Sequence, residues 1–208
     1  MEQGPRKRRS ATSQGKRDLI LEAARAVFEA EGLEGASLRA IAARAGYTPA
    51  ALYFHFDSKE AVYAEVLHRS LATLGARVAD AVATQTDPAA RLRAAAMAFF
   101  GFYAENPRDL DLGFYLFRGG MKPTGLGRER DESLNAALEA ALRPIAEAAV
   151  ALGAGRWQAG LVMVDCFAHA TGLLLLLHTG RIRMFEASAP VLMAQHVDRQ
   201  IAALQARG

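Results

Sequence analysis

Apolar residues recur every three to four positions along most of this chain, and β-branched residues nowhere alternate over the length of a strand. That period is the helix period, and no other feature narrows the fold as much. Alanine reinforces it. Of 208 residues 44 are Ala, the strongest helix former, while Val, Ile and Thr are sparse. The expected fold class is all-α. The length suits one large domain, or a small one plus a medium one, with a buried core. At 51% hydrophobic residues the chain is too apolar for disorder.

Caps and breakers divide the chain. Residues 1–15 are polar, basic and patternless, and are expected to form a disordered arm. A first helix over 16–31 places Leu19, Ile20, Ala23, Ala24, Val27 and Phe28 on one face and ends at Gly32. Ser37 can cap a second helix through about Ala45, stopped by Gly46. Thr48 can cap a third that runs to about Phe56, with Pro49 at its first position. Asp57 or Ser58 caps a fourth, in which Val62, Val66, Leu67, Leu71, Leu74, Val78 and Val82 share a face. After Asp87-Pro88 a fifth helix reaches about Glu105. Asn106-Pro107 then leads into a short aromatic segment over 109–117 and a Gly-rich loop over 118–128. Three more helices are expected at about 129–152, 156–179 and 188–206, about nine in all.

The segment from Ser37 to Lys59 carries the strongest functional signal. Ala42 is small enough for two helices to approach closely, Gly46 supplies the turn, and Leu52 reaches back to Leu38 and Ile41. That is the spacing of a DNA-binding helix-turn-helix, although any pair of short helices can show parts of it.

The residues that follow sharpen the reading. Leu52-Tyr53-Phe54-His55-Phe56-Asp57-Ser58-Lys59-Glu60 resembles the signature of the TetR family of bacterial transcriptional regulators, in which Tyr-aromatic-His-Phe precedes Ser-Lys at the fourth helix. The specific resemblance covers roughly residues 16–65; beyond them it rests on helical layout. It implies a three-helix DNA-binding domain over 16–62 and a helical effector-binding and dimerisation domain over 63–208. It further implies that Tyr53, His55 and Lys59 contact phosphates, that Tyr47, Thr48, Ala50 and Phe54 face the bases, and that Phe56 packs beneath the recognition helix. Arg39 is the expected guanine reader, because its guanidinium fits O6 and N7 bidentately. One departure stands out. Pro49-Ala50-Ala51 offers no long polar side chain where many relatives carry one, which shifts readout towards thymine methyls and DNA shape.

Charge supports DNA binding only locally. The net charge is +3, and the arm to Arg17 alone carries +5, leaving the rest at −2. The arm could follow a minor groove or phosphates, or could simply solubilise the chain.

A palindromic operator is read by a dimer whose recognition helices lie about 34 Å apart. The last two helices are the expected homodimer contacts. Residues 159–177 are apolar almost all round, and Val191, Leu192, Ala194, Val197, Ile201, Ala202, Leu204 and Gln205 cover much of the other helix. Burial of both helices within one subunit is the plainer alternative. The aromatics Phe99, Phe102, Tyr103, Phe114, Tyr115 and Phe117 are either ordinary core or the walls of an effector cavity. Asp165, Cys166 and His169 would be its polar handles, and Asp165 and His169 could instead bond each other at i,i+4. The expected effector is a small apolar or aromatic molecule, neutral or anionic, and the expected mode is repression relieved by that effector.

Other classes fit less well. A single cysteine, Cys166, allows neither an internal disulfide nor a thiolate cluster and suits a reducing cytoplasm. The basic first residues are followed by no apolar stretch of a signal peptide. Residues 159–177 reach spanning length only by including Asp165 and His169, so no membrane partner is expected and the helix should be buried on all sides. Gly119-Gly120 and Gly125-Leu126-Gly127 lack the Lys-Ser/Thr of a phosphate loop, and no Gly-x-Ser-x-Gly or His-Glu-x-x-His occurs. Neither a cofactor, a metal nor a catalytic residue is expected. The competing reading is a helical-bundle enzyme, or a metal or ligand carrier, centred on Asp165, Cys166 and His169.

Overall fold

A computed structural model describes residues 5–113 and 125–206, with side chains from Gly15 onward. The described residues contain nine α-helices and no strand. They are α1 (Pro5–Gly35), α2 (Leu38–Ala45), α3 (Pro49–Tyr53), α4 (Lys59–Ala83), α5 (Pro88–Glu105), α6 (Pro107–Gly113), α7 (Arg128–Ala151), α8 (Arg156–His178) and α9 (Ala189–Gln205). A short 3-10 helix, Arg181–Phe185, joins the last two.

The caps lie where the sequence puts them. Ser37 Oγ accepts from Ala40 N–H at 3.1 Å, Thr48 Oγ1 from Ala51 N–H at 3.3 Å, and Ser58 Oγ from Ala61 N–H at 3.1 Å. Of the two candidates for the cap of α4, Ser58 is therefore the one used. The start of α1 differs from expectation. The helix begins at Pro5 rather than near Lys16, so residues 5–15 of the segment expected as a disordered arm are helical. Pro suits a first helical turn, and Arg, Lys, Gln and Ala after it are good helix formers even without an apolar face. At the other end Gly32 breaks the helix with φ 70° and ψ 178°.

The described residues group into two compact units, Met1–Arg69 with Asp111–Leu134, and Ser70–Leu110 with Asn135–Gly208. The first extends past the expected boundary at residue 62. Its reason is the opening stretch of α4: Phe28 meets Tyr63 edge-on at 4.8 Å, Arg17 pairs with Glu65, and Arg69 pairs with Asp18. The buried Tyr63 hydroxyl also donates to the Leu112 carbonyl at 2.8 Å, which brings the end of α6 into the same unit. Within the α1 face Leu21 is buried and Leu19 exposed, the reverse of expectation. Leu19 stands about 100° from Ile20 on the helical wheel, away from the Ala24 and Val27 side of the stripe.

In the second unit α5, α8 and α9 pack against one another. Phe99 of α5 meets Phe167 of α8 edge-on at 5.8 Å, and Arg93 of α5 pairs with Asp198 of α9. The later part of α4 joins them through Arg77, whose guanidinium holds both oxygens of Glu105 at 2.6 and 2.7 Å and keeps that carboxyl below its usual range. Gly101 makes room for this arm, since a Cβ there would lie 3.3 Å from Arg77 Nη2.

Candidate nucleic-acid interface

The helix-turn-helix is built around one sealed contact. Leu52 of α3 is 0% exposed and lies in the small core that also contains the buried Leu38, Ile41 and Ala42 of α2. Gly46 makes the turn at φ 72°, a left-handed conformation that a side chain would strain, and its N–H bonds back to α2. Tyr47 N–H donates to the Ala42 carbonyl at 2.9 Å, closing the turn behind it. Phe56 is buried as expected, and the Arg17 guanidinium lies over its ring at 4.7 Å while holding Glu65. That hydrogen-bonded carboxylate raises the Arg17 pKa further. Sequence reasoning counted Arg17 with the basic arm and missed this role; its position four residues before the buried Leu21 was the available signal.

What remains outside forms one surface. Pro49, Ala50, Tyr53 and Phe54 share the exposed side of α3, with Tyr53 59% and Phe54 88% exposed. Burying aromatics is worth about 1.5–3 kcal/mol each. A ring left almost wholly in water beside a second exposed ring therefore marks a face made for contact. The Phe54 ring meets the half-buried His55 edge-on at 5.6 Å. Arg39 and Arg44 of α2 are exposed, Thr48 is exposed apart from its capping bond, and Tyr47 is half-buried. Lys59, at the start of α4, donates through Nζ to the Glu34 carbonyl at 3.2 Å. All eight expected DNA-contacting residues thus belong to the first unit.

The expected effector residues divide. Phe114, Tyr115 and Phe117 lie outside the described residues. Phe99, Phe102 and Tyr103 are buried and stack edge to face, with Phe99–Tyr103 at 5.3 Å and Phe102–Tyr103 at 5.0 Å. Burial and the nearby Asp109, itself buried, push the Tyr103 hydroxyl well above its usual pKa, so it stays protonated. The Tyr103 carbonyl bonds His178 Nε2 at 2.9 Å.

Asp165, Cys166 and His169 have different surroundings. Cys166 is buried and its thiol is pushed up to about 12 by desolvation, with Asp165 adding to the shift. Asp165 is exposed and reaches α9, accepting from Gln200 Nε2 and lying 3.5 Å from His196 Nε2. His169 stacks flat on His196 at 3.9 Å, so the i,i+4 bond to Asp165 is replaced by contacts across the α8–α9 seam. His196 went unnoticed in the sequence, although it lies in line with the buried Met193 and Val197. Burial and the neighbouring His169 hold its pKa below the ordinary value. Among the described residues no group of three or more His, Cys, Asp or Glu could hold a metal ion.

The expectation that α8 is buried on all sides is overturned. Ala159, Val162, Cys166, Ala170, Leu173 and Leu174 face inward, but Trp157 (79% exposed), Leu161, Val164 and Leu175 face water. Among the described residues the main neighbours of α8 are α5, α9 and the 3-10 helix. By length and composition alone α8 is also the one described helix apolar enough to cross a membrane.

Residues 20–66 match the family described as bacterial regulatory proteins, tetR family. The HTH-type transcriptional activator FasR of Mycolicibacterium smegmatis is 44% identical over 87 residues, 42% of this chain and 40% of that protein. The HTH-type transcriptional repressor KstR2 of Mycobacterium tuberculosis is 40% identical over 85 residues, 41% of this chain and 42% of that protein. The chain thus matches about two fifths of the length of these curated relatives. Among solved structures, a transcriptional regulator FadR from Bacillus subtilis in complex with stearoyl-CoA superposes with a TM-score of 0.66 at 14% identity, covering 88% of this chain and 96% of that one. At that identity the likeness is one of fold.

Proposed function

We propose, from the match of residues 20–66 to the tetR family of bacterial regulatory proteins, that this chain is a one-component transcriptional regulator in the cytoplasm, a homodimer that binds a palindromic operator and is released by a small molecule. The observation that carries this reading is the exposed face of α3, with Tyr53 and Phe54 in water on a helix whose opposite side is sealed by Leu52. Such a face is costly to leave uncovered and fits a major groove. Arg39, Tyr47, Thr48, Ala50 and Phe54 face bases, while Tyr53, His55 and Lys59 hold phosphates. The basic segment before Arg17 adds attraction that salt screens.

The second unit supplies the partner and the signal. The uncovered side of α8, with α9 beside it, pairs with the same surface of a second copy. The aromatic group on α5 supports an apolar or aromatic effector, and the stearoyl-CoA in the FadR structure is one example of such chemistry. A ligand changes operator affinity only through different affinities for the DNA-competent and incompetent states. The helix α4, whose residues 59–69 belong to the first unit and 70–83 to the second, carries that difference.

Repression relieved by ligand is the proposed mode; among relatives FasR is an activator and KstR2 a repressor. The test is a mobility-shift titration of the full chain on DNA flanking its own gene, against a scrambled duplex of equal composition and length. Preference for the native duplex by tenfold or more supports the reading, and equal affinity at every salt concentration sinks it. A panel of fatty acyl and aromatic ligands, added to the preformed complex, then tests release.

A further inference from the structure

Resting on the DNA-binding reading, we propose that α3 reads thymine C5-methyl groups, through Phe54 first and Ala50 second, and that this methyl readout sets its operator preference. The argument starts from what α3 lacks. Its exposed positions are Pro49, Ala50 and Tyr53, with Phe54 at its C-cap, and among these four the Tyr53 hydroxyl is the only polar side-chain group. Thr48, at the cap, already spends an acceptor position of its hydroxyl on the Ala51 N–H. Direct hydrogen-bond readout from the helix itself is therefore nearly absent and falls to Arg39 on α2.

An apolar surface in a major groove is not indifferent to sequence. In the major groove guanine and adenine present donors and acceptors, cytosine an amino donor beside a bare C5–H, and thymine alone a methyl group. A phenyl ring set over a donor or acceptor strips it of water and returns no hydrogen bond, a loss the partner base cannot repair. Set over a methyl, the same ring buries apolar area on both sides. Phe54, at 88% exposed, has this ring free to offer, and its edge-on contact with His55 steadies it. Ala50, one turn earlier on the same side, presents a methyl that can approach closely. Attraction to thymine and rejection of the other three bases then come from one pair of side chains.

The experiment uses the full-length chain and a random duplex library. Rounds of selection define the sequence it prefers; failure to enrich any sequence would refute the DNA-binding reading itself, separately from this inference. Within the enriched duplex each thymine is replaced in turn by deoxyuridine, which removes the methyl and leaves the hydrogen-bonding edge intact. At least one position in each half-site should lose about fourfold in affinity, the worth of one buried methyl-sized group. At that position 5-methylcytosine paired with guanine should bind more tightly than unmodified cytosine paired with guanine. In Phe54→Ala, a change at an exposed side chain, the thymine–uracil difference should collapse at one such position while calorimetric melting is unchanged. Uracil tolerated everywhere, 5-methylcytosine no better than cytosine, or an undiminished difference in Phe54→Ala would each overturn the proposal.

Discussion

In the proposed interface Lys59 would serve fold and function together. Its ammonium spends one proton on the Glu34 carbonyl, which leaves two for the proposed phosphate contact. Lys59→Ala should weaken binding to every duplex alike and lower the slope of log affinity against log salt by about one. Arg39→Ala should behave differently. Its loss relaxes preference at a single base pair, worth about 1–3 kcal/mol, with other positions unaffected. Fluorescence anisotropy over a salt series separates the two, and an unchanged slope for Lys59→Ala removes it from the phosphate contacts. At this scale much was legible in the sequence. Gly46, Leu52 and Phe56 are specified by neighbours a few residues away, and local geometry suffices to place them. The partners of Arg17 were not legible, because Phe56 and Glu65 are far along the chain; only its helical spacing from Leu21 was visible.

At the scale of elements, α2 and α3 stabilise each other and neither is long enough to stand alone. An isolated helix shorter than about 12 residues is marginal in water, and these two have 8 and 5. Their order depends on the caps Ser37 and Thr48 and on the Leu52 contact. Leu52→Ala should therefore cost about 2–5 kcal/mol, while Ser37→Ala should cost about 1 kcal/mol. Urea titrations followed by circular dichroism measure both. A Leu52→Ala loss no larger than that of Ser37→Ala would show that Leu52 does not seal the pair. Element positions were readable to within a turn wherever a cap or glycine marks them. α7 even runs on through Pro144, which leaves the Ala140 carbonyl without its helical donor on a solvent-facing side. The start of α1 was not readable, since charged helix formers carry no period. The side of α8 left exposed was not readable either: an all-apolar helix has no contrast from which to tell its faces apart.

Across the whole molecule, two consequences can be measured. Val164→Glu places a charge on the open side of α8 and should leave the fold intact while halving the mass seen by light scattering and abolishing tight operator binding. A dimer that persists in Val164→Glu places the contact elsewhere. The second consequence concerns acid. The folded pKa of His196 is lowered from 6.5 by burial, by His169 on α8 and by Arg199 on its own helix, with Asp165 opposing. The unfolded chain therefore takes up that proton first as pH falls. The contribution of neutral His196 is complete above about pH 6.5 and is lost progressively below it. In His196→Gln the fall in urea midpoint between pH 7 and pH 5 should be smaller than in the native chain; an equal fall would assign the acid sensitivity to other groups.

The uncovered side of α8 carries one more implication. Trp157, Leu161, Val164 and Leu175 are exposed in the single chain, so the proposed pairing would be driven by mass action and weaken on dilution. When most chains are single, the number of pairs grows as the square of the number of chains. For a regulator acting as that proposed dimer, operator occupancy would then climb steeply over a narrow range of cellular copy number. Synthesis and degradation of the protein would become inputs to the genes it controls, alongside any ligand.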